Sequence, residues 1–146
     1  MKIGLIAMSG IRAVDEELLE LGLTLPGFVE RSRTIASLPS LGLLTLAGLT
    51  PSRHDVQYIE VDTIDDEHDV PDDLDLVAIS TFTAQVEQAY ALGQRLRARG
   101  TLVVIGGLHA TALPHEAVEH GLSAAVGEGE MVWPDILRDA ERGRLQ

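Results

Sequence analysis

Three short stretches of the sequence place hydroxyl or glycine residues directly after an apolar run. They are Ser80-Thr81-Phe82-Thr83, Gly106-Gly107 and Gly127-Glu128-Gly129. Hydroxyl groups and bare backbone amides form hydrogen bonds, and glycine lets a flat or bulky ligand approach the backbone closely. Residues of these types hold a ligand rather than carry out a reaction, so we assign no catalytic residue. A plain tight turn is the alternative interpretation of Gly106-Gly107.

The apolar runs before these stretches predict buried strands. Leu102 to Ile105 is apolar without alternation, which is typical of a parallel strand covered by helices on both faces. Leu74 to Ile79 and Ser123 to Val126 precede the other two stretches, and Lys2 to Met8 and Val56 to Val61 predict two earlier strands. Helical patterns lie between and after the strands, at Pro39 to Leu49, Ala84 to Arg99, Pro114 to Glu119 and Met131 to Ala140.

The order of these elements predicts the fold class. Strands that alternate with helices favour an α/β, flavodoxin-like three-layer fold with a five-stranded parallel sheet in the order 2-1-3-4-5. Ligands of such sheets bind in the crevice at the carboxyl ends of the strands, where the three stretches are expected to converge. Ser9, directly after the first strand, joins them as a candidate. Residues 9–38 form an unusually long connection, which is either functional or an insertion with a packing role.

Composition excludes several classes of function. The 146 residues carry a formal net charge of −12, which argues against binding to nucleic acid or to an anionic membrane. The chain has no cysteine, so it contains no disulfide, no thiolate zinc site and no ligand for an iron–sulfur cluster. No apolar run approaches the roughly 20 residues of a membrane span, and no secretory signal is evident. We expect a cytoplasmic protein.

Familiar ligand motifs are missing from the expected positions. The stretch after the first strand has one glycine, Gly10, where a dinucleotide fold needs G-x-G-x-x-G. The acid pair and lysine of a receiver domain, the hydroxyl-rich loop of a flavodoxin and the G-x-S-x-G nucleophile elbow are also absent. Asp62 to Asp75 is acidic but lacks the framework of a calcium loop. The histidines form no recognisable ligand set, so we assign no metal site.

Four stretches together resemble the cobalamin-binding, Rossmann-like domain at the amino terminus of cobalamin-dependent radical S-adenosylmethionine enzymes. They are PSLGLLTLAGL (39–49), DLDLVAISTFT (73–83), VVIGGLHATALP (103–114) and AVGEGEMVWPDIL (125–137). In that family the corrin lies over the carboxyl ends of the strands, and the nucleotide tail enters the sheet. The resemblance implies cobalamin-binding roles for Ser9, Ser80, Thr81, Phe82, Thr83, Gly106, Gly107, His109, Gly127, Glu128 and Gly129.

The residue types suit these implied roles. Gly106 and Gly107 provide walls without side chains for the tail, while the hydroxyl residues after the third strand and the amides of residues 127–129 provide hydrogen bonds for it. Glu128 and His109 are candidate partners for the corrin amides. A surface residue at the start of a helix is the alternative interpretation of His109.

The sequence departs from related cobalamin proteins in two ways. Mutases carry D-x-H-x-x-G after the first strand, with the histidine as lower cobalt ligand, but residues 9–38 contain no histidine. Asp66 to Pro71 imitates the motif in the wrong connection, and we interpret it as a coincidence. The C-x-x-x-C-x-x-C motif of the radical enzymes is absent, so an iron–sulfur cluster and S-adenosylmethionine would belong to a missing carboxyl-terminal domain.

Two hypotheses follow. In the first, residues 1–146 form one cobalamin-binding domain that holds the cofactor base-off, without a protein histidine ligand. It would be the amino-terminal part of a longer, methyltransferase-like radical S-adenosylmethionine protein, whose chemistry would reside in the catalytic domain. The other hypothesis for its extent is a free-standing binding module. In the alternative, the chain is a non-catalytic flavodoxin-like binding or sensor domain for a flavin or nucleotide.

Overall fold

A five-stranded parallel sheet is the centre of the fold, which a computed structural model describes for residues 1–8, 39–62, 64 and 70–145. The strands lie in the order 2-1-3-4-5, which confirms the predicted flavodoxin-like arrangement. All four neighbouring pairs are parallel, so their carboxyl ends lie at one edge of the sheet. The strands are β1 (Lys2–Met8), β2 (Asp55–Val61), β3 (Leu76–Ser80), β4 (Leu102–Gly106) and β5 (Ser123–Ala124).

Helices cover both faces of this sheet. The sequence offers Ser37 or Ser40 as the cap of the first helix. Helix α1 begins after Ser40, whose Oγ accepts a hydrogen bond from the Leu43 amide at 3.5 Å. A short helix that the sequence did not predict begins directly after Gly107. The helices are α1 (Leu41–Leu49), α2 (Val86–Ala98), α3 (Leu108–Ala112), α4 (Pro114–Glu119) and α5 (Gly129–Glu141), and a 3-10 turn at Thr83–Gln85 precedes α2.

Alternate residues of β3 belong to two different cores. Leu76 and Ala78 lie in the core formed with α1 and α5, which also contains the fully buried Trp133. Val77 and Ile79 lie in the core formed with α2, α3 and α4. This alternation follows from the two-residue period of a strand. The face that carries Ala78 is therefore the face that α1 and α5 enclose.

Several predicted boundaries shift. β5 is shorter than the predicted Ser123 to Val126, and α5 starts at Gly129 rather than at Met131, so Gly129 belongs to the first turn of that helix. The spacing of Gly42 and Gly48 in the sequence predicts a close approach of α1 to the sheet. This prediction is wrong, because a Cβ at either position would meet no atom within 4 Å. The interpretations of residues 9–38 lie outside the described residues.

Candidate functional site

A cavity of about 220 Å³ opens where β3, β4 and β5 end. Its floor is the sheet, and α1 and α5 form its sides. It is smaller than the roughly 300–1,000 Å³ of cavities that enclose a whole drug-sized ligand, so it is suited to part of a larger one. The lining residues are Gly42, Leu43, Leu46, Ala78, Ile79, Ser80, Val104, Gly106, Gly107, Ala125, Gly127, Glu128, Gly129, Glu130, Trp133 and Ile136.

The cavity brings together part of the predicted site. All three strand-end stretches contribute: the first through Ser80, and the other two through Gly106, Gly107 and residues 127–129. The remaining candidates of the described chain, Thr81, Phe82, Thr83 and His109, do not line it. Ser9 lies outside the described residues.

The two adjacent glycines have different environments. A Cβ on Gly106 would lie 3.6 Å from the Cβ of Ala125, an ordinary contact, so this position can carry a small side chain. Gly107 has a φ of +106°, and a Cβ there would lie 2.8 Å from the carbonyl oxygen of Thr81. Gly107 is therefore required by the turn itself, as the tight-turn interpretation proposes, although it also lines the cavity.

The loop after β5 is tied to the helix after β4. The Gly127 amide donates to Thr111 Oγ1 at 3.1 Å, and Gly127 has a left-handed φ of +82°. Gly129 opens α5 close to Leu46, since a Cβ on it would lie 3.6 Å from that side chain. The amino-terminal end of this 13-residue helix, which carries free amides and a partial positive charge, thus lies at the cavity mouth.

The inner wall consists of residues that the sequence analysis did not select. Leu43 and Leu46 come from α1, Ala78 and Val104 come from the sheet, and Trp133 comes from α5. The Trp133 indole donates to Thr50 Oγ1 at 2.9 Å, and the ring is 1% exposed. The available signal was the helical spacing of Gly129, Trp133 and Ile136, which places three residues on one face of α5.

His109 lies in a different environment. It is 7% exposed, so the interpretation of a surface residue at a helix start is wrong. Its Nδ1 lies 3.2 Å from Thr83 Oγ1, and its Nε2 lies 2.9 Å from Glu116 Oε2. Its ring also meets the edge of Tyr90, whose phenol pKa is raised by burial. The imidazole thus joins the segments that follow β3 and β4, on the α2 side of the sheet.

Comparison with known proteins decides the family. Residues 36–137 match the family described as the B12 binding domain, and this match covers more than half of the chain. The chain belongs to the B12-binding domain family. The resemblance to cobalamin-binding domains in the sequence is thereby confirmed.

Curated relatives of this B12-binding domain are methyltransferases. The chain is 35% identical to bacteriochlorophyllide d C-8(2)-methyltransferase and 37% identical to bacteriochlorophyllide d C-12(1)-methyltransferase, both of Chlorobaculum tepidum. It is 30% identical to an uncharacterized methyltransferase of Synechocystis sp.. Each alignment covers 73% of this chain but only 20–23% of the relative, so the relatives are several times longer than the region they share with it. No solved structure gives a significant match.

The described residues contain no group of three or more histidine or acidic side chains placed to hold a metal ion. No helix in this part of the chain is long and apolar enough to cross a membrane.

Proposed function

We propose that this B12-binding domain holds cobalamin base-off at the carboxyl edge of its sheet, with the nucleotide tail in the cavity between the sheet, α1 and α5. The observation that carries the proposal is the cavity itself, which lies where three predicted strand ends converge in a member of this family. The proposed partner is a radical S-adenosylmethionine catalytic domain outside this chain.

The shape and polarity of the cavity suit the nucleotide tail. Its inner wall is apolar and takes a flat benzimidazole ring, whereas the broad corrin is too large for about 220 Å³ and would remain outside. The mouth offers the Ser80 hydroxyl and the amides at the start of α5 to the ribose and the phosphate. The apolar ring of the tail would thus lie against apolar side chains, and its polar groups would lie at the polar mouth.

The charge of the lining favours cobalamin over the alternative ligands. Two carboxylates, Glu128 and Glu130, line the mouth, and no lysine, arginine or histidine is among the described lining residues. A flavin mononucleotide or a nucleotide with several phosphate charges would be repelled. Cobalamin carries a single phosphodiester charge, balanced by its cobalt centre. This difference supports cobalamin against a flavin or nucleotide sensor.

The positions of the histidines support binding without a protein ligand to cobalt. In the described chain, His54 lies beside the amino terminus, His109 is engaged with Thr83 and Glu116, and His120 stacks on Tyr90 at 4.2 Å. His115 is exposed on α4, and His68 lies outside the described residues. The benzimidazole nitrogen, placed in the cavity, would be unavailable to cobalt as well.

Five exposed apolar residues lie within two positions of lining residues in the sequence, and this group, here called the rim, supports a covering partner. Leu41, Leu108 and Met131 are 76%, 74% and 79% exposed, and Phe82 and Val126 are about half exposed. Such a patch on a chain with a net charge of −12 is typical of an interface. The relatives are methyltransferases with a long region outside their alignment with this chain, so we propose that a catalytic domain covers this rim. When bound, cobalamin supplies a cobalt centre that accepts and donates a methyl group.

Two separate titrations test which cofactor the protein binds. The protein is titrated with hydroxocobalamin and, separately, with flavin mononucleotide, while visible absorbance and flavin fluorescence are recorded. We expect saturable cobalamin binding at micromolar concentration or below and no saturable flavin binding. The reverse preference would favour the alternative ligand and would refute the proposal.

Electron paramagnetic resonance tests the cobalt ligand. The bound cobalt(II) form is expected to show no nitrogen coupling, and replacement of His68 and His109 by alanine is expected to leave the base-off spectrum unshifted. A cobalt–imidazole signal that disappears in His68→Ala alone would show that residues 66–71 provide the ligand.

A further inference from the structure

The cavity described above has a sharp division of polarity. Its polar side chains, Ser80, Glu128 and Glu130, come from the strand end and from the start of α5, at the mouth. The floor inside the mouth is formed by Ala78 and Val104, which are register partners in the sheet. Their backbone groups are used by the parallel ladder, so the floor presents only methyl groups to a ligand.

Among the described residues of the inner wall, the one polar side-chain group already has a hydrogen-bond partner. The Trp133 indole N–H donates to Thr50 Oγ1 at 2.9 Å, and the Thr50 hydroxyl donates to the Leu46 carbonyl at 2.7 Å. Leu43 and Ile136 complete the wall without polar atoms in their side chains. A donor or acceptor inserted into the described inner cavity therefore finds no side-chain partner there.

We infer that the cavity selects corrinoids by their lower base and accepts benzimidazoles in preference to purines. This inference rests on the proposed insertion of the nucleotide tail. A dimethylbenzimidazole presents two methyl groups and hydrocarbon edges to the inner wall. An adenine of similar size presents an amino group and ring nitrogens, which lose their water on entry and gain no hydrogen bond from a side chain of the described inner wall.

The expected preference is moderate. An apolar pocket binds an apolar ligand at most about 100-fold more tightly than a polar ligand of nearly the same shape, because the polar ligand loses hydrogen bonds but does not clash sterically. We expect cobalamin to bind about 10- to 100-fold more tightly than the corrinoid with adenine as its base. Benzimidazole also coordinates cobalt more strongly in the free cofactor, which opposes base-off binding, so the measured preference is a lower limit.

Two isosteric substitutions on neighbouring residues test the inference. Val104→Thr places a hydroxyl on the cavity floor, whereas Val103→Thr places the same group in the opposite core of the same strand. Both residues are 4% exposed, so the two variants bear a comparable burial cost. Dissociation constants for both corrinoids are measured by visible absorbance on folded wild type and variants. Ala78→Ser is the second floor variant if Val104→Thr does not fold.

For each protein, the dissociation constant of the adenine-containing corrinoid is divided by that of cobalamin. The strength with which each base coordinates cobalt in the free cofactor affects this ratio equally in wild type and variants, so a change in the ratio reports on the cavity. We expect the floor variant to reduce this ratio at least about threefold and Val103→Thr to leave it unchanged. A ratio that no folded floor variant changes would overturn the inference while leaving cobalamin binding intact. Failure of wild type to bind either corrinoid would instead overturn the proposed function.

Discussion

Gly106 and Gly107 are expected to respond differently to the same substitution. In Gly107→Ala, a Cβ would lie 2.8 Å from the Thr81 carbonyl oxygen at a φ of +106°. A left-handed conformation costs an L-residue about 1–2 kcal/mol, and overpacking adds about 1–3 kcal/mol. The free energy of unfolding should thus fall by about 2–5 kcal/mol. In Gly106→Ala, the Cβ makes an ordinary contact, and stability should change by about 0.5 kcal/mol or less.

Gly106→Val extends this comparison to the ligand. Gly106 lines the cavity beside Ala125, so a branched side chain there should occupy space proposed for the nucleotide tail. Overpacking of about 1–3 kcal/mol corresponds to a loss of about 5- to 150-fold in cobalamin affinity. The sheet should still fold, because Gly106 adopts an extended strand conformation.

Urea unfolding of the ligand-free variants and titration with hydroxocobalamin separate the two effects. Unchanged stability in Gly107→Ala, or an equal loss in Gly106→Ala, would refute the different roles assigned to the two glycines. Unchanged affinity in a folded Gly106→Val variant would show that the cavity does not receive the ligand.

Three further predictions concern the rest of the described chain. Burial lowers the pKa of His54 below 6.5, so the unfolded chain binds a proton at a higher pH than the folded chain does. The free energy of unfolding should therefore fall as the pH drops below about 6.5. Urea unfolding at several pH values should show a weaker pH dependence in His54→Gln. Thr50→Val leaves the Trp133 indole without its acceptor and should cost about 1–3 kcal/mol, whereas Thr50→Ser should cost much less in the same assay. Glu128→Gln combined with Glu130→Gln should improve flavin mononucleotide binding, measured by fluorescence, with little change for cobalamin.

Each of these predictions has an outcome that contradicts it. The charged neighbours of His54 are the Met1 amine, Arg53 and Glu141, and the first two lower its pKa further while Glu141 raises it. Increased stability of the wild type below pH 6.5 would therefore mean that Glu141 dominates. Equal stability of the two Thr50 variants would show that the hydrogen bond from the Trp133 indole does not stabilise the fold. Flavin binding that is unaffected by loss of both mouth carboxylates would remove the charge argument against flavins.

The sheet and the mouth of the cavity were predictable because their signals are local. An unbroken apolar run such as Leu102 to Ile105 predicts a buried parallel strand, and Gly106-Gly107 marks its carboxyl end. The topology of alternating strands and helices then brings three such ends to one edge. The alternation of residues in Val56 to Val61 likewise predicts a strand at a sheet edge or with one exposed face, and β2 lies at the edge of the sheet.

The inner wall and the position of His109 were not predictable in this way. Leu46 and Trp133 are far apart in sequence, and helical spacing shows which side of each helix faces the sheet but not that a cavity remains between them. His109 follows a glycine pair at a helix start, a pattern typical of an exposed residue. Its burial depends on Thr83 and Glu116, contacts made by two other segments. The role of Gly107 depends in the same way on the Thr81 backbone of another strand end.

Retention of cobalamin through desalting is the most direct test of the central claim. The protein is mixed with excess hydroxocobalamin and passed over a desalting column, and the visible spectrum of the protein fraction is recorded. Micromolar or tighter affinity, about −8 kcal/mol or better, predicts corrin absorbance close to one equivalent per chain, with a base-off spectrum. The account would be contradicted if the protein fraction had no corrin absorbance while the same protein, mixed with flavin mononucleotide instead, co-eluted with the flavin.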